Sequence, residues 1–171
     1  MRLVLSSLLA ATLLSSPLAA AECLRPTDHV AMDVIALKTQ LMVTALTCQA
    51  DERYNAFIRK YQPDLQREDK SLNTYFSRSY GRSAQKQRDD YVTNLANSQS
   101  QTGLKQGSAF CGRNLGAFDE VMALKTSAEL PDYAAGRAGQ QPISVSACGA
   151  GAAEPTRASA HTPARSTSRR R

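Results

Sequence analysis

Three pairs of carboxylates and two histidines are the side chains in this 171-residue sequence whose types and spacing could do chemistry. Asp64 and Glu68 stand four apart, and Asp89-Asp90 and Asp119-Glu120 are neighbours. Two acids in one cleft can hold a cation, or act as acid and base on a glycosidic bond. Each pair also has basic neighbours, Arg67 and Lys70, Arg88, and Lys125 in turn, which is the pattern of a solvated, ion-paired helix face. A nucleophile activated by histidine needs an imidazole fixed beside it. His29 falls at a predicted helix start and His161 in a low-complexity terminus. A di-metal bundle would need Glu-x-x-His repeats, and the sequence has none. The expectation is a non-enzymatic protein with no cofactor and no bound metal.

Four cysteines, Cys23, Cys48, Cys111 and Cys148, form no C-x-x-C pair. With so few histidines a zinc site is not supported. The first residues explain them better. Met1-Arg2 is a short basic start, Leu3 opens an apolar run ending at Leu14, and Pro17-Leu18-Ala19-Ala20-Ala21 is a small-residue exit. That is a secretory signal with its cut after Ala21. The run is too short for a spanning helix, which needs ~20 residues. A periplasmic or secreted address permits oxidation, so an even cysteine count predicts two disulfides. Glu22 before Cys23 does not suit lipidation, which leaves Cys23 as a disulfide partner.

The formal charge of +6 is placed unevenly. Beyond Cys148, Arg157, Arg165, Arg169, Arg170 and Arg171 face a single acid, Glu154, for +4. Arg2 supplies one more unit, so the segment 22–148 keeps only +1. No basic face for nucleic acid is expected there. Apart from Glu154 and His161, the segment 149–171 is Ala, Gly, Pro, Ser, Thr and Arg without a large apolar residue, the composition of a disordered tail. Such a tail could touch anionic envelope components or simply keep the protein soluble.

The elements that must position these groups are helices. Over 28–48, Val30, Val34, Leu37, Leu41, Ala45 and Cys48 make one stripe, widened by Ile35, Met42 and Leu46. Thr27 or Asp28 is expected to cap it. Asp33, Lys38 and Gln40 interrupt the run, so it reads as the central helix of a bundle and not as a membrane span. A second helix from Asp51 carries Tyr54, Phe57, Ile58 and Tyr61, and Pro63 ends it or opens the third. The third runs to Tyr80 with Leu65, Leu72, Tyr75 and Phe76, and Gly81 follows as its stop. A fourth, 82–102, has a sparse apolar set of Ala84, Tyr91, Val92 and Leu95; Gly103 and Gly107 bracket the next turn. Ser108 then caps a fifth helix with Phe110, Leu115, Phe118, Val121 and Met122, one more turn is possible near Leu130, and 141–148 reads as an extended strap. The fold class is all-α: an antiparallel bundle of about five helices over 22–148.

Helix length restricts the disulfides. At ~1.5 Å per residue the ends of the 28–48 helix lie about 30 Å apart, while bridged Cα atoms lie within ~7 Å. Cys23–Cys48 is therefore excluded. If the last helix runs antiparallel to the first, Cys48 meets Cys111 and Cys23 meets Cys148. If it runs parallel, the pairs are Cys23–Cys111 and Cys48–Cys148. The antiparallel pairing needs the shorter connections and is preferred.

Two groups of residues are candidates for a partner surface. The stretch from Asn97 through Gln99 and Gln101 to Thr102 has no large apolar residue, and reads as a frayed helix end or a hydrogen-bonding face. Tyr75 and Phe76, with Tyr80 and Tyr91, are ordinary core residues at helical spacing, or, if exposed, an apolar patch. The partner would be an envelope protein or polymer. The alternatives are a hydrolase of envelope polymers using Asp89 or Asp90 with Glu120, and a periplasmic chaperone or inhibitor using the aromatic patch.

The blocks Leu37-Lys38-Thr39-Gln40-Leu41-Met42-Val43-Thr44-Ala45-Leu46-Thr47-Cys48, Tyr54-Asn55-Ala56-Phe57 and Asp90-Tyr91-Val92-Thr93-Asn94-Leu95-Ala96-Asn97 resemble a family of small exported bacterial helical proteins with no assigned activity. The resemblance covers about 23–148. It implies a periplasmic protein with disulfides, and it carries no catalytic residue. Small periplasmic acid-stress chaperones share the size, the helicity and the disulfides, but no motif.

Overall fold

The computed structural model describes residues 24–137 and Gln141. The proposed signal (1–21), Cys23, Cys148, His161 and the tail 149–171 lie outside the described residues, and so does the strap apart from Gln141. The described chain is helical, with α1 Pro26–Cys48, α2 Asp51–Tyr80, α3 Ala84–Gln106, α4 Ala109–Asn114, α5 Gly116–Met122 and α6 Leu130–Arg137. Short 3₁₀ turns, Gly81–Ser83 and Ser127–Glu129, precede α3 and α6.

α1 is the centre. Its apolar residues surround the axis, so opposite sides enter two separate cores. Val34, Leu37, Leu41 and Ala45 pack with Phe57, Tyr61 and Leu65 of α2, with Phe118 and Val121 of α5, and with Leu130 and Ala134 of α6. Ala31, Met32, Ile35 and Ala36 pack with Leu72, Tyr75 and Phe76 of α2 and Tyr91 and Leu95 of α3. By length and composition α1 could cross a membrane, but 67% of its most apolar window is buried inside the fold. Leu46, expected to widen the buried stripe, is instead 68% exposed beyond both cores. The helix also starts earlier than expected. Pro26 takes the first position, where its missing N–H is harmless. Asp28 sits in the third, accepting the Arg25 backbone N–H at 3.2 Å.

Pro63 neither ends nor opens a helix: α2 runs through it. The ring removes the hydrogen bond to the carbonyl of Arg59 and presses against it. The bend appears at Tyr61, with φ −107° and ψ 15°. Tyr61 is fully buried there and donates its hydroxyl to the Val121 carbonyl at 2.6 Å, tying the bend to α5. Lys60 next to it donates to the carbonyls of Met122, at 2.7 Å, and Leu124, at 3.2 Å, capping the α5 C-terminus.

The expected fifth helix is broken into α4 and α5 at Leu115. The Asn114 amide bonds back to the Phe110 carbonyl at 2.8 Å, a local bond that competes with the helical ladder. Ser108 precedes α4, yet its hydroxyl makes no capping bond. Directions follow from named contacts. Arg78 near the end of α2 meets Asp28 at the start of α1 at 2.6 Å, so these helices are antiparallel. Cys48 is bonded to Cys111, and Gln40 reaches Asn114 at 3.5 Å, so α4 also runs against α1.

Candidate functional site

The turn between α2 and α3 shapes a cleft among the described residues that qualifies as a candidate site. It is open to solvent, with a volume of about 570 Å³. Asn73, Phe76 and Ser77 form the α2 side; Gly81 and Arg82 form the turn; Ala84, Gln85, Arg88 and Asp89 form the α3 side. Gly81 makes this corner possible, since its φ of +53° is a left-handed conformation that a Cβ disfavours. The volume falls within the ~300–1,000 Å³ of small-ligand sites.

Phe76 is held from three sides. Its ring stacks on Tyr80 at 5.6 Å and touches Tyr75 at 5.0 Å and Tyr91 at 5.7 Å. Arg88 donates from Nη2 to Asp69 at 2.6 Å and from Nη1 to Asp89 at 3.4 Å. Its Nε is buried and has no partner. Asn73 donates to the second oxygen of Asp69 at 3.4 Å. Among the described residues Arg82 forms no ion pair and lies exposed at the rim. The lining thus offers two guanidinium groups, one carboxylate, two amides and a hydroxyl over a small apolar floor.

No match to this chain exists among protein-family models, curated proteins or solved structures.

The acidic pairs do not converge. Asp90 is bound by Lys86 at 2.5 Å and Asp89 by Arg88, both on α3 beside the second core. Glu120 is on α5 beside the first core, bound by Arg137 and by the Tyr133 hydroxyl at 3.1 Å. The Arg137 hydrogen bond, then that of Tyr133, holds the Glu120 carboxyl below its ordinary range. Asp64 and Glu68 are buried and share Arg67, each at 2.9 Å; these bonds, Glu68 first, raise the Arg67 pKa. His29 lies 3.4 Å from Asp33, which also accepts from Gln141 at 3.2 Å. Among the described residues no three metal-binding side chains come together.

The expected partner surface separates into two environments. Tyr75 and Phe76 belong to the second core, buried rather than presented to a partner, and Tyr91 is buried with them. Burial, followed by the nearby Asp33 charge, raises the Tyr91 pKa. The polar end of α3 is not frayed; the helix continues to Gln106. Gln99 turns inward and donates to the Ala36 carbonyl at 3.2 Å. Asn97 and Gln101 remain on the surface. Further along, Asn114 donates to Gln106 at 3.3 Å. This helix end therefore packs through side-chain amides. Gly103, expected in a turn, lies inside α3 under Phe110.

No sequence pattern marks the cleft. Its lining combines residues from a helix end, a turn and a helix start that individually look solvated.

Proposed function

We propose that this is an exported, disulfide-stapled helical protein that works by binding, with the α2–α3 cleft as its ligand face. The observation that carries the reading is the cleft: a concave, mostly polar site whose aromatic wall is fixed by three neighbours. The pairing of Cys48 with Cys111 supports an oxidising compartment. The periplasmic address, the cut after Ala21, the second bridge Cys23–Cys148 and the family resemblance belong to the same proposal. Gln141 supports the second bridge. It joins Tyr91 at 2.8 Å and Asp33 at 3.2 Å, which brings the chain after α6 back to the early part of α1.

A polymer hydrolase is less well supported, because Asp89 or Asp90 and Glu120 sit by different cores, each in its own ion pair. A chaperone using Tyr75, Phe76, Tyr80 and Tyr91 is less well supported, because Tyr75, Phe76 and Tyr91 are buried and Tyr80 alone of the four is exposed.

The test is native mass spectrometry of the full-length gene product isolated from envelope extract. A co-purifying mass is expected on the wild type and not on Gln85→Trp, which fills the cleft from an exposed lining position. Turnover of cell-wall polymer that is lost in Asp89→Asn would overturn the reading in favour of the hydrolase.

A further inference from the structure

The geometry points to a small organic oxyanion, a carboxylate or phosphate on a compact organic frame, as the ligand of the α2–α3 cleft, held by Arg82 and Arg88. The inference rests on the cleft being a binding site and adds the class of its ligand.

Three observations converge on it. Arg82 projects at the rim with no acid partner among the described residues, so its guanidinium is available for a two-pronged bond to an oxyanion. Arg88 is only partly satisfied. Its bond to Asp69 is short at 2.6 Å, its contact with Asp89 is long at 3.4 Å, and its Nε has no acceptor. Asp89 is exposed and its contact is long, so an incoming oxyanion can replace it on the outer, Nη1 side of Arg88.

The third observation is the helix behind the cleft. α1 carries Asp28 in its first turn and α2 carries Asp51 and Glu52, whereas α3 has no acidic residue there. The positive end of a 23-residue helix is thus left unneutralised beside Arg82. A small molecule suits the volume: Ala84 can meet part of the carbon frame while Ser77 and Gln85 meet its polar groups.

Calorimetric titration of the purified protein at low ionic strength, with citrate in one arm and glycerol 3-phosphate in the other, tests this. Glycerol and sodium chloride at matched ionic strength are the controls. Saturable binding of citrate alone identifies a carboxylate ligand, and of the phosphate ester alone a phosphate ligand; either supports the inference. Arg82→Gln, at an exposed position that leaves the fold intact, is expected to weaken binding about tenfold, as the loss of one charge-assisted bond would. Asp89→Asn is expected to tighten it, because a competing carboxylate is removed. Binding of neither anion, or equal binding by wild type and Arg82→Gln, overturns the inference. A co-purifying mass in the cleft alongside such a failure would leave the binding reading standing and remove only the ligand class.

Discussion

Gly103 of α3 lies directly under the ring of Phe110 at the start of α4: a Cβ on Gly103 would sit 3.3 Å from the ring's Cε2. Two helices that turn back on each other over Gly107, whose φ is +54°, can approach this closely because one of them presents no side chain. Phe110 is thereby buried one residue before Cys111, which steadies the half of the disulfide that α4 contributes.

Gly103→Ala gains helix preference of up to about 1 kcal/mol and loses a similar amount to crowding, so its net effect is expected to be small. Gly103→Leu cannot be accommodated without moving Phe110, and should destabilise by about 1–3 kcal/mol. Urea unfolding of both variants checks the pair. An unchanged midpoint for the leucine variant would show that α4 is free to shift.

Cys48–Cys111 spans 63 residues of sequence and joins the far end of α1 to α4, with Cα atoms 5.6 Å apart. Closing a loop of that size is worth about 4 kcal/mol in the chain-entropy model. Cys48→Ser should lower stability by roughly that amount, and by more than Cys148→Ser if Cys148 is joined to Cys23 as proposed, because loss of that bridge would free only a C-terminal strap and leave the helical core in place. Non-reducing peptide mapping followed by denaturant unfolding tests both parts. A Cys23–Cys111 peptide would refute the arrangement.

Tyr91 is buried between α1 and α2, and burial raises its pKa, with the Asp33 carboxylate adding to the effect. A phenol whose folded pKa is raised favours the folded state below its unfolded pKa of ~10, and that contribution is lost progressively as pH rises above ~10. The protein should therefore lose stability in alkali as Tyr91 is forced to ionise. Tyr91→Phe removes this dependence along with the hydrogen bond to Gln141, costing about 1 kcal/mol at neutral pH while flattening the alkaline decline. Thermal midpoints recorded from pH 7 to 11 read both changes. An equally steep decline in the phenylalanine variant would assign it to other groups, Tyr133 first, whose pKa is also raised by burial.

Short-range physics was legible in the sequence. The apolar spacing of 28–48 identified the central helix, because a stripe on every side leaves it nowhere to lie but between two cores. The rigid length of that helix excluded one disulfide pairing. Choosing Cys48–Cys111 from the rest needed the direction of α4, which is a tertiary relationship. The aromatic residues were recognised and their helical spacing favoured a core, but only the packing of α3 over Tyr75 and Phe76 closes that core.

What sequence periodicity missed has a common cause. The stretch around Gln99 holds its place through a bond to a carbonyl of another helix, 63 positions away, and Gly103 through the absence of a side chain. Neither leaves an apolar period to detect. Pro63 reads as a boundary because a lone helix would break there; buried Tyr61 and its bond to α5 hold the bent helix together instead. The cleft exists only because the Gly81 turn sets the end of α2 against the start of α3. Local propensity determined the helices of this protein; packing alone decided which of their polar residues would meet across a concave surface.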